Sequence, residues 1–140
     1  MTAAQLAARE VFVDGLQGAG WDVAGWEHLF ENGASLLPEA QAERGGEVAD
    51  LRLGYWMEDG YVLLECVDRA RRESLRVRLY PRATVDAVVA HVVRWQSRLD
   101  PDTFAEFAEQ ATACCRGVFL EVDGAFVSIG AAEEGDGRPS

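Results

Sequence analysis

The side chains in this sequence best suited to nucleophilic, acid–base or metal chemistry are Cys66, Cys114, Cys115, His28 and His91. None has the CxxC or HxxxH spacing of a metal clip. Cys114 and Cys115 are adjacent, and neighbours on a helix point about 100° apart, so a bridge between them is disfavoured. They fall at the C-terminal end of a predicted helix, where the dipole opposes a thiolate and Arg116 offsets this only in part. All three cysteines read as core packing, and no disulfide framework is implied. His91 sits at the edge of a valine-rich helical face, one turn before Trp95, and reads as a partly buried structural histidine. His28, flanked by Glu27 and Glu31, reads as a surface residue or a packing partner of Trp26.

Carboxylates are plentiful but unremarkable in place. Asp100 and Asp102 fit helix capping, Glu106 and Glu109 a solvated helix face, and Glu133 and Glu134 a polar tail. No pair falls in an apolar setting that would raise a carboxyl pKa. The glycines at 15, 18 and 20 follow a helix rather than a strand, so they read as a helix stop and not a phosphate cradle. The chain has 13 arginines and no lysine, which removes Schiff-base, P-loop-lysine and lysine-base chemistry. No catalytic residue, metal ligand or cofactor is expected.

The strongest constellation is a strand face bearing Arg52, Trp56, Tyr61, Leu63, Glu65, Arg76, Arg78 and Tyr80. Aromatic residues with arginine are the composition of interface hot spots. The competing reading is that the first helix or a connector covers this face, or that Glu65 and Arg76 form an ordinary cross-strand pair. Arg69, Arg71 and Arg72 in the next turn extend the face into an anion-attracting patch or form a solvated turn. A second set, Tyr55, His91 and Trp95, marks the place to look for a pocket between sheet and helices.

The elements that position these residues follow from periodicity. Residues 4–17 read as an amphipathic helix with Leu6, Val11, Phe12 and Leu16 on or near one side. Asp22 caps a predicted short helix ending at Gly33, and residues 33–49 read as a connector. Asp59-Gly60 signals a two-residue hairpin turn, pairing Met57 with Val62, Tyr55 with Leu64 and Leu53 with Cys66. Residues 74–80 form a third strand, with Cys66 opposite Leu75, Leu64 opposite Val77, Glu65 opposite Arg76 and Leu63 opposite Arg78. Thr84 caps a helix over 85–98 with a valine face. Asp100-Pro101 opens another, whose buried face runs from Phe104 through Cys115 and which Gly117 closes. Asp123-Gly124 turns a second hairpin pairing Val122 with Ala125, Leu120 with Val127 and Val118 with Ile129. The fold class is α+β: an antiparallel sheet of a three-stranded meander plus a C-terminal hairpin, helices packed on one face, in the order α-α-β-β-β-α-α-β-β.

The 140 residues suit a single domain over 1–130, with 131–140 a disordered acidic tail. The net charge of −11 opposes nucleic acid as a partner. Its distribution is uneven, with residues 69–82 holding 6 arginines and one glutamate. Neither a membrane span nor a secretory signal is present, which implies a cytoplasmic protein. Arginine as the sole cationic residue beside 21 alanines suggests a GC-rich bacterial genome. The element order resembles that of the small acidic chaperones of bacterial type III secretion and the related YbjN-like fold. Those proteins usually end in a further helix, where this chain has a polar tail.

The leading expectation is a non-enzymatic protein-interaction module: an adaptor, dedicated chaperone or immunity-type protein using the aromatic and arginine face. The valine helix or a sheet edge would support a homodimer. The alternative is a small-molecule binder or enzyme with a pocket near His91. The third is an acidic DNA mimic.

Overall fold

The computed structural model describes residues 3–24, 40–46, 49–56 and 59–129. Helix α1 (Ala3–Gly18) is followed by strands β1 (Asp22–Ala24), β2 (Ala40–Gly45), β3 (Ala49–Trp56), β4 (Tyr61–Asp68) and β5 (Glu73–Pro81). Then come α2 (Val85–Trp95), α3 (Phe104–Gln110), a 3-10 turn at Ala111–Ala113, β6 (Cys115–Val122) and β7 (Ala125–Ser128). The strands form one antiparallel sheet of seven in chain order, so both hairpins belong to the same sheet. The α+β class stands, with more strands than the sequence pattern predicts and three α-helices among the described residues. None of the described helices is long and apolar enough to cross a membrane.

Alternation divides the sheet into two faces. Leu51, Leu53, Tyr55, Val62, Leu64, Cys66, Val77, Leu79 and Val118 are buried on one face. Against that face lie Phe12 and Leu16 of α1, the valines of α2, and Phe104 and Phe107 of α3. Phe12 stacks on Tyr55 with ring centres 5.3 Å apart. The valine face of α2 packs into this core. Leu6 and Val11, expected on the buried side of α1, are 42% and 41% exposed, while Phe12 and Leu16 are fully buried. Trp21 closes the end of this layer. Its indole Nε1 donates to Gln96 Oε1 at 2.6 Å, and Gln96 Nε2 donates to the carbonyl of Ala19 at 3.1 Å.

Several local expectations change. The helix expected from Asp22 is replaced at Asp22–Ala24 by β1, because these residues pair with Gln41–Glu43. The rest of that expected helix, with Trp26 and His28, lies outside the described residues, as do Leu36 and Leu37 of the expected connector. The connector expected over 33–49 contains β2, whose Ala40 and Ala42 are buried between β1 and β3. The β3–β4 register differs by two residues, with Tyr55 opposite Val62 and Leu53 opposite Leu64. Strand β3 ends at Trp56 and β4 begins at Tyr61. Gly60 adopts a positive φ of 76° and its N–H donates to Trp56 O at 2.8 Å. Met57 lies outside the described residues. A shift of two keeps every side chain on its face.

Helix α2 stops at Trp95, short of 98. Asp100 caps the following turn, its Oδ1 accepting from the N–H groups of Asp102 and Thr103 at 2.9 and 3.0 Å, and α3 begins at Phe104. Cys114 and Cys115 are not helical, and Gly117 sits inside β6. Pairing of Pro81 with Cys115 pulls the chain into the sheet there, with a bulge at Tyr80 and Pro81. The β4–β5 pairs and the β6–β7 hairpin follow the predicted registers. Asp123 and Gly124 take φ of 52° and 83°, as a type I′ turn requires. Residues 131–140 lie outside the described residues.

Candidate interaction surface

The second face of the sheet carries all seven residues marked for partner binding: Arg52, Trp56, Tyr61, Glu65, Arg76, Arg78 and Tyr80. The described helices contribute their buried side chains to the opposite face, and the side chains here are half-buried or exposed. The face is organised as rows running across the strands.

The first row is aromatic. Trp56 stacks on Tyr61 with centres 5.3 Å apart and planes at 12°. Tyr61 meets Tyr80 at 5.4 Å, and Tyr80 meets Phe119 edge-on at 5.6 Å. Gly117 lies directly across from Tyr80. A Cβ there would come within 3.1 Å of Phe119 Cε1, so the glycine lets Tyr80 and Phe119 touch. Such cross-strand pairs each contribute roughly 0.2–1 kcal/mol and hold the rings in place before any partner arrives.

The second row is ionic. Glu43, Arg52, Glu65, Arg76 and Glu121 alternate in sign across β2 to β6. Arg76 Nε lies 3.2 Å from Glu65 Oε2, and its Nη1 lies 3.1 Å from Glu121 Oε1. These bonds, that to Glu121 foremost, raise the guanidinium pKa further. Arg52 lies 3.7 Å from Glu65 and 3.8 Å from Glu43, in more open geometry. Here the ordinary cross-strand reading of Glu65 and Arg76 holds.

Arg78 behaves differently. Its guanidinium carbon lies 4.5 Å from the Tyr61 ring centre and 4.3 Å from that of Phe126. No carboxylate pairs with it among the described residues, and its Nε is buried without an acceptor. Burial raises the Tyr61 pKa, with Arg78 opposing. Arg116 lies over the Tyr80 ring at 5.2 Å. Beside the rows, Gly54 leaves a depression of about 250 Å³ bounded by Gln41, Arg52, Trp56, Leu63 and Glu65.

In the basic turn after β4, Arg69 and Arg71 are engaged locally. Asp68 accepts from the N–H groups of Ala70 and Arg71, Arg71 lies 3.9 Å from Asp68, and Arg69 lies 3.6 Å from Asp50 and donates to Gly46 O. Phe119, Glu121, Phe126 and Arg116 were absent from the sequence-derived set. The alternation of residues 118–129 places the first three on one face, but only the shared sheet joins that face to Arg78.

The residues marked as a pocket are separated. His91 Nε2–H donates to Phe107 O at 3.0 Å, Arg94 approaches Nδ1 at 3.4 Å, and the ring packs 4.6 Å from Phe107. Trp95 is buried, with Arg98 lying 3.9 Å over its ring. Both rings fill core space between α2 and α3. Tyr55 instead borders a cleft of about 540 Å³ walled by Ala4, Ala7, Ala8, Val11 and Val85, which neither His91 nor Trp95 reaches. Among the described residues no three His, Cys, Asp or Glu side chains converge as metal ligands. The chain matches no protein-family model, no curated protein and no solved structure.

Proposed function

We propose that this protein is a non-enzymatic interaction module that binds another protein through the outer face of its sheet. The observation that carries the reading is Arg78, a cation sandwiched between Tyr61 and Phe126 with no carboxylate partner among the described residues of an acidic chain. Stacked arginine keeps its planar fork set for a bidentate carboxylate. The rings around it are already packed on one another, so a partner gains apolar burial with little side-chain ordering cost.

The test is capture from the native host with tagged protein, against a Trp56→Ala, Arg76→Ala, Arg78→Ala variant. A stoichiometric protein partner recovered by the wild type and lost by a variant with unchanged circular dichroism supports the reading. Recovery of the same partner by both removes this face from consideration.

The cleft beside Tyr55 favours a second reading, a binder of small apolar ligands. Its volume falls within the roughly 300–1,000 Å³ range of ligand sites, and its lining is mostly alanine and valine. Thermal-shift screening with Ala8→Phe as the blocked control separates this from the first. A DNA-mimic role gains no support, since carboxylates on the described sheet face alternate with arginines.

A further inference from the structure

Cys114 and Cys115 present their sulfurs to each other at 3.9 Å. The chain changes between them from the end of a 3-10 turn to the start of β6, and this brings two consecutive side chains together. Within a regular strand they would point to opposite faces. The backbone of the pair is clamped from β5. The N–H of Arg82 donates to Cys114 O at 3.0 Å, and Arg82 Nη2 donates to the carbonyls of Thr112 and Cys115, each at 3.1 Å. Cys115 is buried and Cys114 half-buried, and the Cys114 thiol also donates to Ala111 O at 3.4 Å.

Their acidities diverge. A hydrogen bond from Cys115 lowers the Cys114 thiol to about 7, with Arg94 and Arg82 assisting against burial. The same bond and burial push Cys115 upward. The asymmetry favours Cys114 over Cys115 as the attacking thiol.

The spacing selects the chemistry. A disulfide needs about 2.05 Å, so the sulfurs would have to close by nearly 2 Å against the pairing of β6. One pyramidal atom bonded to each sulfur at about 2.3 Å, the length of a metal–thiolate bond, needs the sulfurs about 3.5 Å apart, so they close by only a few tenths of an ångström. A structural zinc requires further ligands, and no third one converges here among the described residues. A soft centre that brings its own remaining substituent and needs two sulfurs fits what is present.

We propose that Cys114 and Cys115 form a chelating site for monosubstituted trivalent arsenicals. With phenylarsine oxide as its hydrate, the Cys114 thiolate displaces one hydroxyl, which leaves as water after taking up a proton. The Cys115 thiol then displaces the second hydroxyl, and its own proton completes a second water. Two As–O bonds are exchanged for two As–S bonds, and arsenic stays trivalent.

The experiment treats folded protein with one equivalent of phenylarsine oxide and follows intact mass and free-thiol count. The expected product holds one phenylarsenic unit per chain, loses two of three thiols, survives excess monothiol and is stripped by dithiothreitol. Because closure of the second bond is intramolecular, Cys114→Ser and Cys115→Ala should each weaken retention by roughly 100-fold or more, and Cys66→Ala should not change it. The half-buried Cys114→Ser is the deciding variant, its fold checked by circular dichroism. Absence of an adduct on the folded wild type, or equal retention by folded Cys114→Ser, overturns the proposal.

Discussion

Arg78 of β5 and Phe126 of β7 meet over the intervening strand β6, the guanidinium carbon 4.3 Å from the ring centre. The contact joins both hairpins on one surface. It comes at a cost, since the Arg78 Nε is buried without an acceptor. A cation–π contact contributes about 0.5–2 kcal/mol, and an unsatisfied buried donor costs about 1–3 kcal/mol. The two nearly cancel. Arg78→Met keeps the aliphatic stem and removes both, so urea unfolding should show a change within about 1 kcal/mol. The same variant should lose partner capture. A large loss of stability would mean that the arginine serves the fold rather than a partner.

Arg76 is the structural counterpart. It stands between Glu65 and Glu121, whose side chains are only 18% and 22% exposed. Arg76→Leu leaves two carboxylates, on the strands either side of β5, without their common cation. Discounted for solvent screening of the arginine, the expected loss is about 1 kcal/mol, shrinking as salt is added. Glu43→Gln, which touches only the open Arg52 contact, should leave the unfolding midpoint unchanged. Equal effects from the two variants would refute the distinction between the tight and open ends of this row.

The sheet faces and the β4–β5 register are legible because side-chain alternation decides them. Pairing Leu64 with Val77 fixes Glu65 opposite Arg76 and Leu63 opposite Arg78, because any one-residue slip exposes the apolar set. The β3–β4 hairpin escaped by two residues because such a slip preserves both faces, and the Asp59-Gly60 signal then favoured the shorter loop. Strand β2 was hidden because its buried positions are Ala40 and Ala42, too small to read as a strand without knowing that β3 lies beside them. The outer face was read as far as Tyr80 and no further. Phe119, Glu121 and Phe126 join it through pairing of β5 with β6, a long-range contact that leaves no local pattern. Cys114 and Cys115 were read as helical because the apolar spacing of α3 runs on through residue 115. The strand pairing at Pro81 overrides that spacing.

Gly15 marks the crossing of α1 and α2. A Cβ at this position would lie 2.8 Å from Val89 Cγ1. Glycine to alanine inside a helix ordinarily gains about 1 kcal/mol. Valine in a helix is held close to one rotamer, so its methyl does not swing aside cheaply. Gly15→Ala should therefore lower the melting temperature. In a Val89→Ala background the same change should raise it. A gain in both backgrounds would show that the helices separate without cost.

The stability of the α2–α3 layer should carry a histidine signature in mild acid. Burial holds the His91 imidazole below its ordinary value near 6.5, and nearby Arg94 acts in the same direction, while the hydrogen bond to Phe107 opposes. The neutral ring satisfies both nitrogens, Nε2–H donating to Phe107 O and Nδ1 facing Arg94. In the unfolded chain the ring takes a proton near its ordinary value. Between that value and the lower folded one, the unfolded state therefore binds more protons, and stability rises with pH. On acidification the contribution begins to fall near pH 6.5 and continues to fall down to the folded value, at no more than about 1.4 kcal/mol per pH unit. His91→Gln removes this segment of the profile. Urea unfolding from pH 7.5 to 5 should thus give a shallower pH dependence for the variant. Parallel profiles would mean that the buried ring does not resist protonation.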